Sequence, residues 1–186
     1  MTDTAPASPP PLPRSADQLR APAQRHFDDL VVGAALPERV IGPVTTTHAM
    51  RWSAAIENWH RIHYDQPFAV GHEGLPNVLI AGSWKQSLLC RYLKDLCLPA
   101  GWLWKVAFQH RAMIVPGDTI TCWARVDAKE LVEGLGHVRV ELGMRLQTGV
   151  ETCPGQATLV LPVRGGDAVP YPFVAPDRPV IPTPPA

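Results

Sequence analysis

No charge of either sign is in excess in this sequence: Lys and Arg together number 17, as do Asp and Glu, across 186 residues. That balance argues against a partner held by net charge, such as a nucleic acid or an acidic membrane. No cluster of Lys or Arg reaches the density of a phosphate-binding patch either. Cysteine is scarce. Cys90, Cys97, Cys122 and Cys153 are widely spaced and form no CxxC pair. That spacing excludes a recognisable zinc motif or disulfide framework and predicts reduced, mostly buried thiols, with no metal and no redox cofactor. No run approaches the roughly 18 apolar residues that span a membrane. The N-terminus lacks a basic-then-apolar signal pattern, so a soluble cytoplasmic protein is expected.

Proline is plentiful, but mostly at the two ends. Residues 1–25, with Pro6, Pro9, Pro10, Pro11, Pro13 and Pro22 among Ala, Ser and Asp, predict a flexible or polyproline-like arm. Residues 165–186 repeat the composition as a C-terminal tail. Its Tyr171, Phe173, Val174, Val180 and Ile181 suit it to lie against a surface, its own or a partner's. One folded body, residues 26–164, is expected between them, without internal repeats.

Within the body, Arg39–Ile41 is β-prone. One threonine of Thr45-Thr46-Thr47 can cap a helix over His48–Asn58, with Met50, Ala54 and Ile56 on its inner face. A single helical turn is expected over Asp65–Val70. The strongest helical signal follows Ala81-Gly82-Ser83. There Trp84, Leu88, Leu89, Tyr92, Leu93 and Leu96 recur at three- and four-residue intervals, with Lys85, Arg91, Lys94 and Asp95 on the other side. Residues 102–108, 119–126, 137–146 and 156–163 read as strands joined by turn-like links. One long helix followed by a four-strand antiparallel meander predicts an α+β fold with the sheet curled around the helix.

The stretch Glu57-Asn58-Trp59-His60-Arg61-Ile62-His63-Tyr64-Asp65 concentrates proton-handling groups in a chain otherwise poor in charge. With Phe27-Asp28-Asp29-Leu30-Val31-Val32-Gly33, Ala81-Gly82 and Val115-Pro116-Gly117-Asp118-Thr119, it resembles the MaoC-like (R-specific) enoyl-CoA hydratase and acyl dehydratase family. The resemblance implies a single hotdog fold, an antiparallel sheet wrapped around a long central helix. In the family's hydratase motif, G-D-x-N-P-[LIV]-H-x-D, the final histidine and aspartate match His63 and Asp65. Asn58, His60 and Arg61 stand where the motif has Asp, Asn and Pro. This form is similar to the variant in itaconyl- or mesaconyl-CoA hydratases and FAS1-like dehydratases.

The implied activity is adding water to a 2-enoyl-CoA, or removing it from a 3-hydroxyacyl-CoA. Alternatives are a non-catalytic hotdog subunit of a heteromeric hydratase and a hotdog acyl-CoA thioesterase. His63 is the expected proton-transfer residue, and Asn58 the expected water-positioning partner. Gly82, at the start of the long helix, is the candidate donor to the thioester oxygen. Ser83 adds a hydroxyl there or caps the helix. Arg61 braces Asp65 or contacts substrate, and Asp65 is expected chiefly as a cap. Trp59, Trp102 and Trp104 are assigned to core filling rather than to an acyl tunnel. The expected partners are an acyl-CoA substrate and a second hotdog subunit, in a homodimer or heterodimer, with neither nucleic acid nor membrane.

Overall fold

The computed structural model describes residues 24–177 and Val180, so most of the proline-rich N-terminal arm and the end of the tail lie outside the described residues. A 3-10 turn at Phe27–Asp29 precedes strand β1 (Arg39–Ile41) and helix α1 (Thr46–Ala55). A second 3-10 turn at Arg61–His63 and the short α2 (Gln66–Gly71) lead to α3 (Gly82–Cys97). Four further strands follow: β2 (Trp102–Phe108), β3 (Ile120–Val132), β4 (Leu135–Leu146) and β5 (Gly155–Leu161). They form one antiparallel sheet in the order β1-β3-β4-β5-β2, which with α3 gives the hotdog arrangement.

Alternation along the strands supplies the core. Ile120, Cys122, Ala124 and Val126 of β3, Val138, Val140, Leu142 and Met144 of β4, and Ala157, Leu159 and Leu161 of β5 are all buried. Against them α3 places Leu89, Tyr92, Leu93, Leu96 and Cys97. Burying a leucine such as Leu89 or Leu93 this fully stabilises by roughly 1.5–3 kcal/mol each. The four cysteines are free thiols, three of them buried, as expected.

The strand order corrects the expected four-strand meander. β3, β4 and β5 do follow one another, but β2 lies beyond β5, paired from Trp102↔Val160 to Phe108↔Gly155, and β1 takes the other edge. Residues 109–119 therefore cross from one side of the sheet to the other, a placement that matters for the site. β3 and β4 are also longer than expected, because their turn contains only Glu133 and Gly134. Both have positive φ, 51° and 79°, as a two-residue turn between right-twisted strands requires.

Helix α1 corrects another expectation. Thr45 caps it by accepting from the His48 backbone N–H, but the buried residues are Ala49 and Ser53, while Met50 and Ile56 are exposed. The helix stops at Ala55 rather than Asn58 because Glu57 adopts a left-handed backbone with φ 52°. Trp59 (58 % exposed) and Trp102 (36 %) do not fill the core. The described part of the tail does lie on the protein's own surface, where the Phe173 ring centroid is 5.7 Å from that of Trp104. Gln24 and Arg25 bind the C-terminal end of α3 through the carbonyls of Cys97 and Leu96.

Candidate active site

The Arg61–His63 turn is held on both sides. Arg61 donates two hydrogen bonds to one carboxylate oxygen of Asp65, at 2.9 and 2.7 Å, and its guanidinium lies 4.2 Å from the Phe68 ring centroid. Asp65 also caps α2 by accepting from the Phe68 N–H at 3.1 Å. The Arg61 bonds, then that backbone N–H, hold the Asp65 carboxyl below its ordinary range. Arg61 thus braces the loop, and Asp65 is a cap, as expected, that also pairs with Arg61.

Beyond the turn, Leu79 donates its N–H to the Ile62 carbonyl at 2.8 Å. The Leu79 carbonyl, 2.9 Å from His63 Nδ1, fixes the imidazole. A carbonyl only accepts, so Nδ1 carries the hydrogen. In the neutral ring Nε2 is then left with its lone pair and can take a proton.

His63 opens onto a cavity of about 400 Å³ whose lining includes Gly82, Lys85, His110 and Arg111, with no Asp or Glu among the described residues. Gly82 is the first residue of α3, and its N-cap, Ala81, has no side chain to satisfy the first N–H groups. The helix start therefore keeps backbone donors beside the cavity, where the helix dipole favours negative charge.

His110 and Lys85 belong to this site and were not anticipated. The crossover from β2 to β3 carries His110 there, tied down by hydrogen bonds from Arg111 N–H to the Thr152 carbonyl and from Ile80 N–H to the Ile114 carbonyl, each 2.9 Å. The His110 ring lies so close to Gly82 that a Cβ there would be 2.9 Å from Nε2. Its Nδ1 is 3.4 Å from the Cys153 sulfur. Burial, with Lys85 adding to it, lowers the His110 pKa. Lys85, assigned from sequence to the polar side of the helix, is 5 % exposed and donates to the Ala112 carbonyl at 3.0 Å. The stripe Lys85, Leu89, Leu93 at four-residue spacing carried the signal for its burial.

Three expected site residues stand apart from this lining. Asn58 accepts the His60 N–H at 3.2 Å through its side-chain oxygen, a bond within its own loop. Ser83 neither caps α3 nor lines the cavity; its hydroxyl accepts from Trp52 Nε1 at 2.9 Å, joining α3 to α1. Arg61 lies outside as well. No group of three or more His, Cys, Asp or Glu suited to a metal occurs among the described residues. No helix among them is long and apolar enough to cross a membrane.

A long helix in a curled antiparallel sheet defines a hotdog domain, with His63 and the uncapped start of the helix sharing one cavity. Residues 35–115 match the family model for hydroxyacyl-thioester dehydratase type 2. Among solved structures, the chain is similar to a protein of the ChsH1–ChsH2 complex from Mycobacterium tuberculosis, at 23% identity and a TM-score of 0.61 over 70% of this chain and 98% of that one. It is also similar to the (R)-hydratase of A. caviae involved in PHA biosynthesis, at 18% identity and TM-score 0.63 over 72% and 98% of the two chains. The MaoC-like dehydratase of Rhodospirillum rubrum gives 17% identity and TM-score 0.66 over 75% and 98%. No curated protein matches by sequence. At these identities the structural likeness establishes the fold.

Proposed function

We propose that the protein is a hydro-lyase that adds water to a 2-enoyl thioester, or removes it from the 3-hydroxyacyl thioester, with coenzyme A as the expected thiol. The observation that carries this is the shared cavity of His63, with Nε2 free to act as a base, and Gly82 at the uncapped start of α3. In hydration, His63 Nε2 takes a proton from water as the water oxygen bonds to C3. The C2–C3 π electrons move onto the thioester oxygen as an enolate, which the Gly82 N–H stabilises. The proton then returns from His63 to C2 and the thioester carbonyl reforms, so the net change is one water added. Positioned proton transfer contributes about 10²–10⁴-fold, and one well-placed donor to the oxyanion about 10²–10³-fold.

The match to a hydroxyacyl-thioester dehydratase model supports the reaction class. A second carboxylate on the acyl group, as in mesaconyl- or itaconyl-type esters, is compatible with a lining that includes Lys85, His110 and Arg111 but no acidic residue. The same lack of a lining carboxylate weighs against a thioesterase that relies on one. A dimer with a second hotdog subunit, identical or different, is part of the reading, since Met50, Ile56 and Trp59 near the site loop are exposed in the single chain. Asn58, engaged within its own loop, favours one other reading, a non-catalytic subunit that serves a partner's site.

The test is a panel of 2-enoyl-CoA and 3-hydroxyacyl-CoA esters, mesaconyl- and itaconyl-types included, followed by absorbance. Wild type should turn over at least one, and His63→Ala should abolish turnover with an unchanged circular-dichroism spectrum. Full activity in His63→Ala would overturn the assignment. Turnover that appears only with an added partner subunit would favour the non-catalytic reading.

A further inference from the structure

We propose that Lys85 is the electrostatic partner of Gly82, its ammonium group contacting the thioester oxygen and stabilising the enolate formed there. The proposal rests on the hydratase reading above and extends it to a catalytic residue outside the histidine motif. Lys85 lies three residues after Gly82 in α3, so the two share one face of the helix, and both line the cavity that His63 enters.

The burial of Lys85 is the observation that needs an account. Only 5 % of it is exposed, and its one side-chain hydrogen bond among the described residues, to the Ala112 carbonyl, uses one of three ammonium donors. Among the described residues no carboxylate lies within ion-pair distance, and none lines the cavity. Cys153 is no counter-ion, because its own burial favours the neutral thiol. A buried charge without an opposite charge destabilises a fold, and an unbranched apolar side chain of similar length would remove that cost. An enolate oxygen at Gly82 would supply the missing negative charge at the moment of reaction. A cation already in place beside the cavity stabilises that charge with little reorganisation.

The experiment compares the full-length chain with its Lys85→Met variant in three measurements. First, kcat for hydration should fall about 10²–10³-fold, the loss typical of removing an oxyanion donor, with KM changed far less. Second, thermal unfolding of Lys85→Met should occur at a higher temperature than wild type, since the uncompensated charge is gone. Third, acetoacetyl-CoA, a thioester that ionises to an enolate with its own ultraviolet band, should bind wild type as the enolate and the variant in the keto form. Unchanged kcat and an unchanged enolate band would overturn the proposal, as would a kcat loss accompanied by a lower unfolding temperature. A kcat loss confined to dicarboxylic esters would overturn it in favour of a contact to the second carboxylate. If wild type hydrates no ester yet binds the enolate in a Lys85-dependent way, the hydratase reading falls and Lys85 keeps its role. If neither activity nor the enolate band is seen, both fall.

Discussion

Replacing Gly82 with alanine separates the role the structure gives this residue, making room for the His110 ring, from the role the proposed mechanism gives it, presenting a backbone N–H to the thioester. The added Cβ would be 2.9 Å from His110 Nε2, closer than the two atoms pack without displacement, and a tight 3.3 and 3.4 Å from Cε1 and Cδ2. The backbone of Gly82 is not in the left-handed region. Alanine is therefore compatible with it and, without the ring, would stabilise by about 0.4–1 kcal/mol through the unfolded state. Overpacking by one methyl in a tight site costs about 1–3 kcal/mol. His110 is exposed and held mainly by a 3.4 Å contact to the Cys153 sulfur, so its ring can swing away, and the lower end of that range applies. The two contributions nearly cancel, and Gly82→Ala alone should shift stability by no more than about 1 kcal/mol.

A double-mutant cycle with His110→Ala makes the clash visible. In the His110→Ala background, Gly82→Ala should stabilise by about 0.4–1 kcal/mol in urea titrations, and the coupling between the two sites should fall within about 0.5–3 kcal/mol. Activity should behave differently. The methyl still covers the approach to the helix start, so turnover lost in Gly82→Ala, up to about 10²-fold, should not return in the double variant. An equal stability change in both backgrounds would refute the His110 placement. Full turnover in Gly82→Ala would reduce Gly82 to a packing residue and leave the thioester oxygen without its backbone donor.

Two further outcomes are expected, one in the sheet and one at the site. At Gly136, in β4, a Cβ would run directly into the Phe27 ring, so Gly136→Ala should destabilise by about 1–3 kcal/mol, read as a lower urea midpoint. His110, although largely exposed, titrates below its ordinary value of about 6.5 because of partial desolvation of its ring first and the Lys85 charge second. The unfolded chain therefore binds more protons between the lowered value and about 6.5, and the His110 share of stability, present above that range, is lost as pH falls through it. In Lys85→Met the second cause is removed. The His110 imidazole signal should then titrate at higher pH in proton NMR, still short of the unfolded value, and an unchanged titration would contradict the proximity of the two groups.

The histidine half of the site was legible because it is local. His63, Asp65 and Arg61 fall within one short run, and the cap of Asp65 on the Phe68 N–H follows from a carboxylate placed before Gln66-Pro67-Phe68. The central helix was legible from its periodicity, as were strand positions from their alternation. The order of the sheet was not, since the pairing of β2 with β5 joins segments roughly fifty residues apart, and alternation identifies faces rather than neighbours.

The Lys85 half was hidden for a related reason. A lysine between apolar residues is ordinarily assigned to solvent, and only the crossover of residues 109–114 over the start of α3 encloses it. His110 sits on that same crossover, in a stretch whose nearby Pro116-Gly117 suggested no more than a turn. Asn58 shows the opposite case, a residue aligned with a catalytic position whose amide oxygen accepts the His60 N–H within its own loop. Asn58 does not line the cavity, and the proposed mechanism draws its second polar group from the helix side. There Gly82 offers a neutral donor and Lys85 a charged one. A hydratase built this way would carry its base on the local loop and its oxyanion stabilisation on the long helix, with His63 and Lys85 acting together as the enolate forms and His63 alone returning the proton to C2.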